Sequence, residues 1–397
     1  MGLIAFDLSL QLLGIGSLFF FLFRKKRVLS PDGPYPDVSL VKPCYANADG
    51  EEKNFDVLFR QDYPGKLQIL FAVSEPDDPI VPVVEAFLRK YPDVDARIVV
   101  STTREAYWRK IDALYDAQKK VKYDLVIWSD SDAIVRENYV SSMVACLEEP
   151  GVSLVTTPQY DTRGNTFASI MKNLGNNCDV ATYLMLLNLF SRRKKVGWGH
   201  SLGFHRADFE AFEEEAWECL RTHFADDQMM PSLFTKHKKR VVFRHIYCPV
   251  EYSNKRFSEM LNQQSRFALC QKAALGNRWL FLVSFLGLPQ FPAVALLLVT
   301  GFSWLGVLVC LAVFFFRVAV SLTFEGLVLG SVRQTLLYFW IIPVWDLLKV
   351  YFFAYAFFTD RVTYHGKTYR FVDRFRLEEV TAPNKAMAGL TVMEKEK

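Results

Sequence analysis

The chain lacks the cysteine and histidine patterns of common zinc and disulfide frameworks. Its seven cysteines include no Cys-x-x-Cys pair, and its six histidines include no His-x₃-His pair. These spacings argue against a zinc module, and unpaired cysteines are typical of a reducing compartment. The sequence also lacks an internal repeat, a low-complexity linker and a strong net charge, which is only +4. We therefore expect no nucleic acid partner.

Charged residues are almost absent near the amino terminus. Gly2 to Phe23 carries one charge, at Asp7, and Arg24-Lys25-Lys26-Arg27 follows directly. About 20 apolar residues suffice to cross a bilayer, and positive charges that follow the apolar core indicate an uncleaved anchor. We predict a transmembrane anchor over residues 1–27. The positive-inside rule then places the chain after Arg24 in the cytosol.

A second region without charges lies near the other end. Trp279 to Phe316 contains no Asp, Glu, Lys or Arg, which is too long for one crossing and predicts two, with a break near Thr300-Gly301. A third apolar stretch, Thr335 to Phe358, contains Asp346 and Lys349, three residues apart and able to pair on one helical face.

These stretches predict membrane helices over residues 279–360. The basic residues after Asp360 predict a cytosolic tail over residues 361–397. Three full crossings would place that tail outside, so the number of C-terminal crossings stays open.

Between the membrane regions, apolar strand-like runs alternate with helical runs. This order predicts one α/β domain over residues 28–257 with a parallel sheet. The predicted strands are Val38–Val41, Leu67–Val73, Ala96–Ser101 and the run that begins at Leu125; the predicted helices include Phe55–Arg60, Ile80–Lys90 and Trp108–Lys120.

Asp130-Ser131-Asp132 directly follows a short strand predicted over Leu125–Ser129. The carboxyl ends of strands are where open α/β sheets bind ligands. Two carboxylates separated by one residue can face one cation, and Mg²⁺ or Mn²⁺ takes oxygen ligands together with substrate phosphates. We predict a metal site for a nucleotide-sugar diphosphate, and a solvated turn is the alternative.

Two further acidic groups allow two interpretations each. Glu75, Asp77 and Asp78 follow the second strand on the same sheet edge, where they either contact a uridine or cap the next helix. Asp226-Asp227 either caps a helix or supplies a general base. The local patterns do not choose between these roles.

An amphipathic stretch, Ser258 to Ala274, ends against the apolar block at Trp279. This position predicts an interfacial helix over residues 258–278. Arg266 on that helix either lies at the membrane interface or grips a diphosphate with its guanidinium fork.

Together and in order, these motifs resemble the ceramide glucosyltransferases, membrane-bound glycosyltransferases of family 21 related to family 2. The similarity extends over nearly the whole chain. The matching segments include Val38-Ser39-Leu40-Val41-Lys42-Pro43, Gln61-Asp62-Tyr63-Pro64, Tyr91-Pro92-Asp93-Val94-Asp95-Ala96-Arg97, Lys110-Ile111 and Tyr364-His365-Gly366-Lys367-Thr368-Tyr369-Arg370.

The resemblance implies an α/β fold of the GT-A (Rossmann-like) type, with a cytosolic domain flanked by transmembrane and interfacial helices. It also implies a UDP-sugar donor, Mg²⁺ or Mn²⁺, and inverting transfer of a hexose, glucose first, to the primary hydroxyl of a membrane lipid, ceramide first. The protein would be multi-pass, in the inner membrane of a bacterium or in the endoplasmic reticulum or Golgi of a eukaryote.

The same resemblance assigns residues. Asp227 is implied as the catalytic base beside Asp226, and Gln263, Arg266 and Phe267 match the family's Gln-x-x-Arg-Trp motif. The implied donor-binding residues are Pro43, Glu75, Asp77, Asp78, Lys110, Asp130 and Arg266, and the implied metal ligands are Asp130 and Asp132.

The chain departs from the family pattern at three places. Phe267 replaces a Trp and so lacks the indole N–H donor, Glu75 stands where an Asp is usual, and the acceptor region, about Thr162 to Gly203, diverges most. Diacylglycerol or a hopanoid could therefore replace ceramide as the acceptor. A processive polysaccharide synthase would carry the same donor motifs, and an inactive membrane scaffold would account for the changes at Glu75 and Phe267.

Overall fold

The computed structural model describes residues 2–24, 29, 33, 35–44, 51–162, 164–179, 183–191, 197, 200–251, 256–275, 290–364, 367–373 and 376–380. Most of the basic run after Arg24, the first part of the Trp279 stretch and the end of the predicted tail lie outside these residues.

The centre of the soluble part is a seven-stranded sheet with the strand order β3-β2-β1-β4-β7-β5-β8. Its strands are β1 (Val38–Cys44), β2 (Leu67–Val73), β3 (Asp95–Val100), β4 (Leu125–Ser129), β5 (Val152–Thr156), β7 (Ser201–His205) and β8 (Arg240–Phe243). The short strands β6 (Asp161–Thr162) and β9 (Val250–Glu251) form a separate pair.

The four strands predicted from sequence are confirmed, and they run parallel as predicted, but the sheet as a whole is not parallel. Strand β7 runs antiparallel to both β4 and β5, so the sheet is mixed. Apolar runs report that a strand is buried on both faces but do not report its direction. The reversal matters because the start of β7, not its end, lies beside the end of β4.

Helices cover both faces of this sheet. They are α2 (Glu51–Phe59), α3 (Ile80–Lys90), α4 (Arg109–Gln118), α5 (Tyr139–Leu147), α6 (Phe167–Asp179), α7 (Met185–Phe190), α8 (Arg206–Glu210), α9 (Glu213–Thr222) and α10 (Asp226–Lys236). Val126 and Trp128 of β4 join the core under α4 and α9, whereas Leu125 and Ile127 join the core under α5. Burial of alternate residues on opposite faces explains why β4 reads as a continuous apolar run.

Most of the remaining helices are strongly apolar, whereas α11 and the short α14 carry polar residues. They are α1 (Gly2–Phe23), α11 (Phe257–Leu275), α12 (Gln290–Val299), α13 (Trp304–Phe324) with a π-helical extension (Glu325–Leu329), α14 (Arg333–Tyr338) and α15 (Ile341–Phe358). Among the described residues, three segments are long and apolar enough to cross a membrane: Ile4–Phe23, Trp304–Leu329 and Ile341–Phe358.

The predicted break near Thr300-Gly301 is confirmed, because Gly301 and Phe302 adopt left-handed backbone angles between α12 and α13. The second predicted span, however, continues well beyond Phe316. The third predicted stretch is divided, with the short α14 ahead of the longer α15.

A buried charge network joins α6, α13 and α15. The Arg317 guanidinium donates to both carboxylate oxygens of Asp346, from Nη2 to Oδ1 at 2.7 Å and from Nε to Oδ2 at 3.0 Å. Lys349 Nζ lies 2.6 Å from Asp179 Oδ1 and 3.3 Å from Asp346 Oδ1. The predicted pairing of Asp346 with Lys349 is confirmed, and Arg317 is the stronger partner. Two cations and two anions cancel, which makes their burial tolerable.

The described residues after α15 form a three-stranded antiparallel sheet. Its strands are β10 (Arg361–Tyr364), β11 (Lys367–Asp373) and β12 (Arg376–Glu379). Tyr369 of β11 is buried against Trp108, with ring centroids 5.5 Å apart. Lys272 of α11 donates to the Ala356 and Thr359 carbonyls at the end of α15. These contacts attach the C-terminal sheet to the soluble part.

The charge network gives a stability prediction. Asp346→Ala leaves the fully buried Arg317 without its bidentate acceptor, which we expect to cost about 3–5 kcal/mol. The double variant Arg317→Met with Asp346→Leu removes both charges and leaves Lys349 with Asp179, so it should recover much of that loss. The measurement is thermal unfolding of the detergent-solubilised protein, with the exposed Arg333→Met as control. Equal losses in the single and double variants would contradict this role.

Candidate active site

One cleft contains most of the residues singled out by sequence. It lies beyond the ends of β1 and β4, and its volume is about 420 Å³, which suits a small ligand. The predicted site residues that line it are Pro43, Lys110, Asp130, Asp132, Asp226, Asp227, Gln263, Arg266 and Phe267. Residues separated by more than 200 positions in the chain therefore share one site.

The backbone at the end of β4 is held from two neighbouring strands. The Asp130 N–H donates to the His200 carbonyl at 2.7 Å, which extends the β4–β7 pairing by one residue. The buried Lys42 ammonium of β1 donates to the Asp130 carbonyl at 2.6 Å, and Ala133 N–H donates to the same carbonyl at 3.2 Å. The turn that carries Asp130 and Asp132 is thus preorganised by main-chain contacts.

Lys110, near the start of α4, joins two of the acidic groups. Its ammonium lies 2.7 Å from Asp130 Oδ1 and 2.8 Å from Asp226 Oδ2. Burial opposes the charge on Lys110, but the two carboxylates prevail and raise its pKa above the usual range. Burial raises the pKa of Asp130 to about 6, with repulsion from Asp226 and Asp132 adding to the shift and Lys110 opposing it.

Asp226 and Asp227 form the first turn of α10. The residue before them, Ala225, adopts a left-handed backbone with φ 70°, which is uncommon for a residue with a side chain. Such outliers persist where the surroundings impose them, often at functional sites. The N-cap position of this helix is occupied by Ala225 and not by an aspartate. Asp226 and Asp227 therefore do not occupy the N-cap position that the capping interpretation assigned to an aspartate.

Gly197 closely approaches the same turn. A Cβ at this position would lie 1.8 Å from the Asp227 carbonyl oxygen and 2.8 Å from Pro231 Cγ. Only glycine can be accommodated at that separation without displacing the start of α10. Gly197, which lies between α7 and β7 in the chain, therefore contributes to where Asp227 lies.

Helix α11 contributes one of its faces to the cleft. Gln263, Arg266, Phe267 and Cys270 line it, and their spacing of three, four and seven residues is that of a single helical stripe. The Arg266 guanidinium carbon lies 5.6 Å from the centre of the Phe224 ring. The opposite side of α11 carries Leu261 and Ala268, which pack against a cluster of residues from α6 and α15. The helix predicted over residues 258–278 is observed at Phe257–Leu275, where it connects the cleft to the apolar helices, and its position at a membrane interface stays a prediction.

Three predicted donor-binding residues are not among the described residues that line this cleft. Glu75 pairs with Arg104 at 3.0 Å, Asp77 is exposed, and Asp78 Oδ1 accepts a hydrogen bond from the Ile80 N–H at 3.0 Å. The Asp78 contact is the helix-capping role that the sequence left open. A role for these residues in donor binding stays a prediction.

Sequence reasoning missed His200, which also lines the cleft. This histidine directly precedes β7, far along the chain from Asp130. Only the antiparallel register of β4 and β7, with Ser129 opposite Ser201, brings it beside the Asp130 backbone. To predict that His200 lies in the cleft, one would need to know the direction of β7, and no sequence pattern in this chain indicates it.

Comparison with known proteins identifies the family of this chain. The model of glycosyl transferase family 21 matches residues 7–375. The chain belongs to glycosyltransferase family 21. The matched range includes the sheet, the cleft and the apolar helices, and it confirms the resemblance inferred from the sequence motifs. The α/β fold, with its GT-A-like mixed sheet and three candidate membrane helices, confirms the predicted fold class.

Curated relatives of this family member are ceramide glucosyltransferases. The chain is 28% identical to ceramide glucosyltransferase 3 of Caenorhabditis elegans over 39% of its own length and 34% of that protein. It is 31% identical to the ceramide glucosyltransferase of Candida albicans over 28% of its own length and 23% of that protein. The matches thus span about a third or less of the length of these relatives.

Solved structures with a similar fold are distant. A mannosyltransferase from Pyrobaculum calidifontis, in complex with GDP-Man and Mn²⁺, is 19% identical over 80% of this chain and 97% of that chain, with a TM-score of 0.46. Glucosyl-3-phosphoglycerate synthase from Mycobacterium tuberculosis is 15% identical over 59% of this chain and 76% of that chain, with a TM-score of 0.37.

The close approach of Gly197 gives a prediction for this family member. Gly197→Ala should push the first turn of α10 away and cost about 1–3 kcal/mol of stability. It should also lower sugar transfer, because Asp227 moves with its carbonyl. Thermal unfolding and turnover measure the two effects. Gly16→Ala is the matched control, since an added Cβ there meets no atom within 4 Å. Unchanged stability and turnover for Gly197→Ala would show that this contact does not position α10.

Proposed function

We propose that this protein transfers a hexose, glucose first, from a UDP-sugar to the primary hydroxyl of a membrane lipid, ceramide first, with inversion at the anomeric carbon. One observation carries the proposal. A single cleft brings together the carboxylates after β4, the acidic first turn of α10 and the Gln263–Arg266–Phe267 stripe of α11. The names of the curated relatives support the choice of sugar and lipid.

The donor half of the proposed site consists of cations and carboxylates at the end of the sheet. Asp130 and Asp132 would hold Mg²⁺ or Mn²⁺, and these hard oxygen donors fit such an ion. The bound ion would neutralise charge on the departing diphosphate. Lys110 and Arg266, both lining the cleft, would steady the diphosphate, with Arg266 offering a planar fork.

The acceptor half centres on Asp227. Its carboxylate would take the proton of the lipid hydroxyl while that oxygen bonds to the anomeric carbon and the bond from this carbon to UDP breaks. Asp226 would hold Lys110, which it contacts at 2.8 Å. Gln263 and Phe267 would border the acceptor. The single displacement requires no covalent enzyme intermediate, and the proton stays on Asp227 until UDP leaves.

The position of α11 supports a lipid acceptor. One side of this helix lines the cleft and the other packs with α6 and α15, so the site opens next to apolar helices. A two-chain lipid can keep its tails in the bilayer while its hydroxyl enters the cleft. We propose that residues 28–257 form the catalytic domain on the cytosolic side of the membrane, and that residues 1–27 and 279–360 are its membrane regions.

The first prediction concerns the base. Asp227→Asn keeps the size of the side chain but cannot accept the proton, so sugar transfer should be lost while UDP binding persists. Mass spectra of the lipid products, from protein given several UDP-sugars with ceramide, diacylglycerol or a hopanoid, measure transfer and identify the substrates. The exposed Asp93→Asn serves as control. Full turnover by Asp227→Asn would show that Asp227 is not the base. A long polymer product would show that the protein is a polysaccharide synthase and not a lipid glycosyltransferase.

The second prediction concerns the metal. Asp132→Ala removes one proposed oxygen ligand and should weaken the metal-dependent binding of a UDP-sugar by at least about tenfold. Calorimetry of UDP-sugar binding with and without Mn²⁺ measures the effect. An affinity equal to that of the unaltered protein would count against a metal ligand at this position.

A further inference from the structure

His200 lies beside the proposed metal ligands because of strand register. It is the residue before β7, whose first residue, Ser201, pairs with Ser129 at the end of β4. The Asp130 N–H donates to the His200 carbonyl at 2.7 Å, which fixes the histidine backbone against the acidic turn. One ligand atom each from Asp130, Asp132 and His200 lies within 4.8 Å of the other two.

The His200 imidazole has an unsatisfied nitrogen in this location. The residue is 7% exposed, and its Nε2 is buried without a hydrogen-bond partner among the described residues. A buried polar atom without a partner is unfavourable, so it calls for an explanation. A cation held between the imidazole and the two carboxylates would provide the missing partner.

The protonation state is compatible with metal binding. Burial lowers the pKa of His200 to about 4, and the nearby Lys110, Lys172 and Lys42 act in the same direction, against the carboxylate of Asp132. The imidazole is therefore neutral near pH 7 and retains the lone pair that a metal ligand needs. No cation needs to displace a proton from it.

Resting on the proposed metal-dependent function, we infer that His200 is a third protein ligand of the divalent cation, through its imidazole nitrogen, beside Asp130 and Asp132. This nitrogen changes which ion the site prefers. Mg²⁺ favours oxygen ligands, whereas divalent first-row transition metals accept imidazole. The site thus favours Mn²⁺, and more strongly Co²⁺, over Mg²⁺.

The test uses the full-length protein in detergent and the ions themselves. Pulsed electron paramagnetic resonance of bound Mn²⁺ should show ¹⁴N modulation from a coordinated imidazole. His200→Gln should abolish that modulation and lower Mn²⁺ and Co²⁺ affinity by at least about tenfold, with a smaller loss for Mg²⁺. His205→Gln is the matched control, because His205 lies at the other end of the same strand, 3.1 Å from Asp124.

The results separate this inference from the proposed function. Mn²⁺ binding that is weakened by Asp132→Ala but shows no ¹⁴N modulation overturns the His200 ligand and leaves the carboxylate site standing. Equal losses of Mn²⁺ and Mg²⁺ affinity in His200→Gln also overturn it. An absence of any divalent cation binding overturns both. The modulation is measured on the unaltered protein, so the result does not depend on how well the variant folds.

Discussion

The site depends on one electrostatic constraint, the gathering of carboxylates at the end of a buried sheet. Asp130, Asp132 and Asp226 repel one another across the cleft, and burial strengthens that repulsion. Lys110 offsets it by contacting Asp130 and Asp226 at once, at 2.7 and 2.8 Å. The sheet edge and α10 are thereby held together by a cation, and the cost of bringing the acidic groups together is reduced before any ligand arrives. A site arranged in this way suits a ligand that carries both a divalent cation and a diphosphate.

The membrane part follows the same rule of charge compensation. Arg317, Asp346, Lys349 and Asp179 form a neutral group inside the apolar helices, and removal of one member would leave an opposite charge buried. Asp179 ends α6, a helix whose buried Lys172 pairs with Asp161 of β6, so this network ties the soluble part to the apolar helices. Helix α11 makes the second connection, because its polar stripe faces the cleft while Met260 packs with α6 and α15. The cleft is consequently held next to the region where a lipid acceptor would lie.

Local sequence patterns predicted features that depend on a few neighbouring residues. The bounds of β2 and α3 agree with the prediction because an apolar run and a helical stripe are local signals, and Pro79 marks the helix start. The break at Gly301 was also predicted, because the length of an apolar run is a local signal as well. The prediction of a parallel sheet failed at β7, since strand direction is set by the chain path between elements. The sheet formed by β10 to β12 was missed as well. Its anchor, Tyr369 against Trp108, is a contact between residues far apart in the chain.

By itself the sequence determined the family, the acidic motifs after β4 and in the first turn of α10, the stripe on α11 and the apolar segments. Each of these features is a pattern of residue types at short spacing along the chain, and such a pattern can be read directly from the order of the amino acids. The tertiary structure alone decided which of these groups meet. It brought Asp227 and Arg266 to the cleft of Asp130, directed Asp78 to the Ile80 N–H instead, and placed His200 beside Asp130. Strand order and register set those meetings, and both depend on packing over the whole chain, which no local pattern records.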